Sequence, residues 1–96
     1  MAQRDDIRAC RGRLEGRVQG VSFRASMQAQ ARRCGVDGWV SNTADGAVTF
    51  LVQGPAEGVR QVLDWARRGP PGASVDAFNL TETDPVGGMS GFDVRG

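Results

Sequence analysis

Gly16-Arg17-Val18-Gln19-Gly20-Val21-Ser22-Phe23-Arg24 is the stretch on which the reading of this chain turns. To its left, Ile7 to Glu15 reads as a short strand. To its right, Phe23 to Cys34 reads as an amphipathic helix. The stretch is therefore a glycine-bearing turn between a strand and a helix. Such a turn leaves the first N–H groups of the helix without intrahelical partners. Those donors sit at the positive end of the helix dipole, where an anion is favoured. Gly16 and Gly20 permit backbone angles forbidden to other residues, so consecutive N–H groups can curl into a concave nest. Arg24, in the first helical turn, adds a planar fork of charged donors suited to phosphate oxygens. Two readings stand side by side: a cradle for a small phosphate-like anion, and a plain glycine-rich connection with an arginine on the surface.

Outward from that turn, the strand is lightly written. Cys10, Gly12 and Leu14 share its inner face, and Gly12 brings no side chain to it. Val18 and Val21 anchor the loop to the core. Phe23, Met27, Ala31 and Cys34 recur at steps of four, four and three and make one apolar helix face. Ser22 is placed to cap this helix, Arg32 and Arg33 suit its C-terminal dipole, and Gly35 stops it. Val36 to Ser41 is a second strand and Ala47 to Gln53 a third, joined by a hairpin turn at Asp45-Gly46. Gly54-Pro55 opens a second helix with Val59, Val62, Leu63 and Ala66 as its core stripe and Trp65 packing at the edge. Pro70-Pro71-Gly72 turns the chain. Ser74 to Thr83 is a fourth strand with a bulge expected between Ala77 and Phe78. After a Pro/Gly-rich loop, Phe92 to Arg95 makes a short last strand. Met1 to Asp6 reads as a loose polar lead-in. Strand, helix, strand, strand, helix, strand is the βαββαβ order of the ferredoxin-like α/β sandwich, an α+β fold with two helices on one face of an antiparallel sheet.

Composition narrows the chemistry. The chain has 96 residues, 40% of them hydrophobic and 24% charged, as expected for one folded domain spanning residues 1–96. The net charge of +1 gives no global pull toward nucleic acid or membrane, so any anion preference is local. All 12 basic side chains are arginine, and histidine, lysine and tyrosine are absent. Schiff-base lysine, histidine base and histidine metal-ligand chemistries are thereby removed. Cys10 and Cys34 match no metal-binding spacing and read as buried thiols. A polar N-terminus without an apolar run leads to the expectation of a soluble, cytoplasmic protein.

The opening stretch matches every specified position of the acylphosphatase signature, Gly-x-Val-Gln-Gly-Val-x-Phe-Arg. A second family motif is present as Gly38-Trp39-Val40-Ser41-Asn42 followed by Asp45-Gly46. Arg68-Gly69-Pro70-Pro71-Gly72-Ala73 and Gly91-Phe92-Asp93-Val94-Arg95 also resemble that family. The resemblance covers nearly the whole chain. It implies the ferredoxin-like fold and hydrolysis of acyl phosphates to a carboxylate and inorganic phosphate. It implies that Arg24 binds the phosphoryl group, that Asn42 positions the attacking water, and that the backbone of Arg17, Val18, Gln19, Gly20, Val21 and Ser22 forms the phosphate-binding loop. No metal and no cofactor are expected. The partners expected are a small-molecule acyl phosphate and phosphate as product and inhibitor, with no nucleic acid and no membrane, in a monomer.

On residue chemistry alone, Asn42 also suits plain turn formation beside Asp45-Gly46. Ser22 stands where many relatives carry glycine or a bulky apolar residue, and Glu15 precedes the loop with its side chain expected to point away from the core. Two other functions compete with this reading. One is an acylphosphatase-like domain that binds phosphate or regulates without turnover. The other is RNA binding on the sheet, which needs exposed aromatics and a basic surface that this sequence does not offer at Val48, Phe50 and Val52.

Overall fold

Alternating apolar residues make the strands, and steps of three and four make the helices, of the computed structural model, which describes residues 6–96. The elements are β1 (Ile7–Arg17), α1 (Phe23–Arg33), β2 (Asp37–Asn42), β3 (Val48–Pro55), α2 (Ala56–Arg68), β4 (Ser74–Thr83) and β5 (Phe92–Arg95). Their order across the sheet is β4-β1-β3-β2-β5. The four longer strands pair antiparallel, and β5 joins the edge parallel to β2. Each half of the chain is thus a split βαβ unit, and the fold is the ferredoxin-like sandwich.

One face of the sheet is dry. Cys10, Leu14, Val40, Val48, Phe50, Val52 and Phe92 pack there against Phe23, Met27 and Ala31 of α1 and Val59, Val62, Leu63 and Ala66 of α2. Trp65 seals the helix edge against Phe23, with ring centroids 5.2 Å apart. Gly12 has a steric reason. A Cβ built on it would lie 2.1 Å from the Phe50 ring, which occupies the room a side chain would need. The opposite face is partly covered by the Pro/Gly-rich loop. The Gln53 amide donates to the Val86 carbonyl at 2.8 Å and accepts the Val86 N–H at 2.7 Å.

Four local expectations change. Asp6, expected in the loose lead-in, is tied to the fold through its carbonyl, which accepts the Ala56 N–H at 3.1 Å; the rest of that lead-in, residues 1–5, lies outside the described residues. The bulge lies one residue before the expected place. Glu15 pairs with Ala77 and Gly16 with Val75, so Asp76 is the extra residue. Helix α1 ends at Arg33, and Cys34 becomes its cap rather than a fully buried core residue; the thiol lies 3.4 Å from Gln61 Oε1. Val36 N–H then bonds Ala31 O and Gly35 N–H bonds Arg32 O, the Schellman arrangement that stops a helix. The fourth concerns Ser22, whose side chain does not cap α1. No helix among the described residues is long and apolar enough to cross a membrane.

Candidate active site

The site is built where β1 runs into α1. Gly16 has φ of 125° and Gly20 has φ of 77°, both in the region open to glycine. A Cβ on Gly16 would lie 2.2 Å from the Ser74 carbonyl, whereas one on Gly20 would meet nothing within 4 Å. Gly16 is therefore required by a close approach, and Gly20 only by the backbone angle. Ser22 is also left-handed, at φ 63° and ψ 29°, and is the one such non-glycine residue among those described. A left-handed serine costs about 1–2 kcal/mol, and a conformation of this kind is typical of functional loops. Its hydroxyl makes no hydrogen bond to the helix N–H groups, while its carbonyl accepts the Ser26 N–H at 3.0 Å and starts α1.

The loop's donors remain open. Among the described residues, none of the backbone N–H groups from Val18 to Ala25 donates a hydrogen bond to the protein. Six of these residues, Val18, Gly20, Ser22, Phe23, Arg24 and Ala25, line a cavity of about 430 Å³ together with Asn42 and Val94. Arg24 and Asn42, far apart in sequence, meet there. Arg17, Gln19 and Val21 do not line it. Arg17 is exposed, Val21 packs against the core, and the Gln19 side chain turns to the β2–β3 hairpin. Glu15 is exposed, accepts from Arg13 Nε at 2.9 Å and does not line the cavity.

Arg24 and Asn42 each have their own support. Arg24 Nη1 donates to the Arg95 carbonyl at 2.9 Å, so the last strand orients the guanidinium. Arg95 turns its own side chain to the other face, 5.0 Å from the Trp39 ring centre. Asn42 is the last residue of β2, opposite Val48. The turn beyond it is tied by Thr43 N–H to Ala47 O at 2.8 Å and Ala47 N–H to Thr43 Oγ1 at 2.9 Å. Asp45 accepts from the Thr43 hydroxyl and from Arg13 Nη2, and these two partners, the hydroxyl first, hold its carboxyl below its ordinary range. Elsewhere, burial pushes the Cys10 thiol up, which keeps it protonated and inert. No group of three or more His, Cys, Asp or Glu side chains able to hold a metal occurs among the described residues.

Sequence reasoning missed Val94 as a cavity wall and Arg95 as the carbonyl holding Arg24. The Gly91–Arg95 motif was visible, but its neighbour across the sheet was not.

Open N–H groups, an arginine fork and an amide around one cavity define a ferredoxin-like sandwich equipped to handle a phosphoryl group. The comparisons make that class specific. The family model described as acylphosphatase matches residues 10–94. The acylphosphatase of Thiobacillus denitrificans is 52% identical over 82 residues, covering 85% of this chain and 90% of that one. The solved acylphosphatase of Coxiella burnetii is 32% identical, with a TM-score of 0.88 over 99% of this chain and 100% of that one. That of Bacillus subtilis is 31% identical, with a TM-score of 0.86 over 93% and 98%. The chain belongs to the acylphosphatase family. It is an enzyme whose family reaction is hydrolysis of acyl phosphates, and its substrate is a small-molecule acyl phosphate. A binding domain without turnover is not favoured.

Proposed function

We propose that Arg24 and Asn42 are the catalytic residues and that the backbone of residues 17–22 is the phosphate cradle. The observation that carries this is the run of open N–H groups from Val18 to Ala25, six of whose residues line one cavity with Asn42, Arg24 among them. The phosphoryl oxygens take these N–H groups and the Arg24 fork, whose positive charge meets the charge that builds in the transition state. The Asn42 amide donates and accepts, so it holds a water in line without acting as a base. The water oxygen bonds to phosphorus as the bond from phosphorus to the acyl oxygen breaks. The carboxylate leaves without needing an acid, because it is a weak base. The water's proton passes to a phosphoryl oxygen, and phosphate is the other product. Phosphate occupies the same cradle and inhibits competitively.

On this reading no metal and no cofactor take part, since N–H groups and arginine supply the charge stabilisation. The whole chain acts as one catalytic domain and as a monomer. The two cysteines are free thiols, as a reducing, cytoplasmic compartment keeps them.

The test is steady-state hydrolysis of benzoyl phosphate by purified protein with a metal chelator present. Turnover is expected to persist. Asn42→Ala should then lower kcat by about 10²-fold while the Ki of phosphate stays within about twofold, because an interaction made only in the transition state leaves ground-state binding alone. Equal losses in kcat and phosphate affinity would make Asn42 a ligand-holding residue instead.

A further inference from the structure

The anion loop and the hairpin that presents Asn42 are separate pieces of chain, and a water held in line must be placed by both. One side chain joins them. Gln19, half-buried, donates its Nε2 hydrogens to the Thr43 carbonyl at 2.8 Å and to the Ala47 carbonyl at 2.8 Å. Thr43 directly follows Asn42, and Ala47 directly precedes Val48, the cross-strand partner of Asn42. Both hydrogens of the amide thus grip the two strands one residue beyond the catalytic amide. Among the described residues, no other hydrogen bond links residues 17–22 to residues 42–47.

We infer that Gln19 is a positioning residue: its side-chain amide fixes the distance between the phosphate cradle and Asn42. The inference rests on the water-holding reading of Asn42. The primary amide supplies both donors from one uncharged nitrogen. A carboxylate in its place would face the same carbonyls with acceptors only, and an apolar chain would leave the two pieces joined by packing alone. A displacement near 1 Å in a catalytic group costs on the order of 10²-fold in rate, so even partial loosening is measurable.

The experiment is a kinetic cycle on the full chain, with folding checked by circular dichroism. Gln19→Met should lower kcat about tenfold or more and leave the Ki of phosphate within about twofold, since the cradle is backbone and Arg24. In an Asn42→Ala background the same change should cost less than about twofold, because the group it positions is gone. Gln19→Glu should be as slow as Gln19→Met at neutral pH and regain rate as pH falls, when its carboxyl protonates and donates one of the two bonds. This second variant keeps the test open if Gln19→Met folds poorly. An equal loss from Gln19→Met with and without Asn42, or a rise in phosphate Ki matching the fall in kcat, overturns the inference and makes Gln19 part of the cradle alone. A wild-type kcat in Asn42→Ala itself overturns the underlying reading, and the coupling with it.

Discussion

Removing the Arg24 side chain is the perturbation that weighs most on the proposed chemistry. Arg24 stands in the first turn of α1, half-buried, and lines the same cavity as Asn42. One of its N–H groups is taken by the Arg95 carbonyl at 2.9 Å. A guanidinium has five N–H donors, so the rest of the fork remains for a ligand. Arg24→Ala removes two unequal things. The contact to Arg95 is a single partly solvated hydrogen bond, with a net worth of about 0.5–1.5 kcal/mol. For a domain of this size that is a fall in Tm of roughly 2–12 °C. On the proposed chemistry the contacts to the transferring group are charge-assisted and made where charge develops, and losing one such donor costs about 2.7–4 kcal/mol. A loss of about 10²–10³-fold in kcat/KM follows, with phosphate inhibition weakened in parallel. Arg24→Lys keeps the charge but is a single point with no fork, so it cannot hold Arg95 and two phosphoryl oxygens together. It should recover only part of the loss. The assay is benzoyl phosphate hydrolysis followed by ultraviolet absorbance, on protein whose fold is verified by its thermal transition. A folded Arg24→Ala enzyme within about threefold of the wild-type kcat/KM would refute the reasoning and place the anion elsewhere.

The two glycines of the loop should respond differently. Gly20→Ala adds a Cβ into open space and should cost only the backbone angle, about 1–2 kcal/mol, whereas Gly16→Ala also drives a Cβ to 2.2 Å from the Ser74 carbonyl and should prevent a stable fold, as read from the two melting curves. The lowered pKa of Asp45 makes the hairpin acid-sensitive. A carboxyl whose folded value lies below its ordinary 3.8 contributes stability that is fully present above that value and is lost as pH falls through the folded one. The Tm difference between wild type and Asp45→Asn should therefore shrink on acidification below about pH 4, and a difference that grows would contradict the geometry. Val94, 41% exposed, walls the cavity beside Arg24. Val94→Asp should lower kcat/KM about tenfold and weaken phosphate inhibition through like-charge repulsion, while Val94→Thr should change both little.

The split between what was legible and what was not follows the range of the interactions. Periods of two and of three to four residues report which face of an element is dry, and this needs no knowledge of the partner. Hence the bounds of β4 and β5, the stripe Val59, Val62, Leu63 and Ala66, and the strand-to-helix turn before Arg24 were all readable along the chain. So was the tight hairpin at Asp45-Gly46, although the strand before it runs one residue past the expected Ser41 and takes in Asn42 as its last residue. The dihedral angles of single residues and the choice of neighbour were not. Ser22 has the chemistry of a capping residue, yet on the path from β1 into α1 it is left-handed and its side chain makes no cap hydrogen bond. Gly12 looked like a gap in the inner face, but the Phe50 ring fills that gap from the adjacent strand. The Arg95 carbonyl reaches Arg24 only because β5 docks parallel on β2, and Gln19 grips the hairpin only because the sheet brings β3 beside β1. By itself, then, the sequence determined the elements, their dry faces and the residue types offered to an anion, since these depend on local sterics and on burial. The tertiary structure alone decided which carbonyls hold Arg24 and Gln19, because a hydrogen bond between distant segments exists only after the sheet has set their distance and direction.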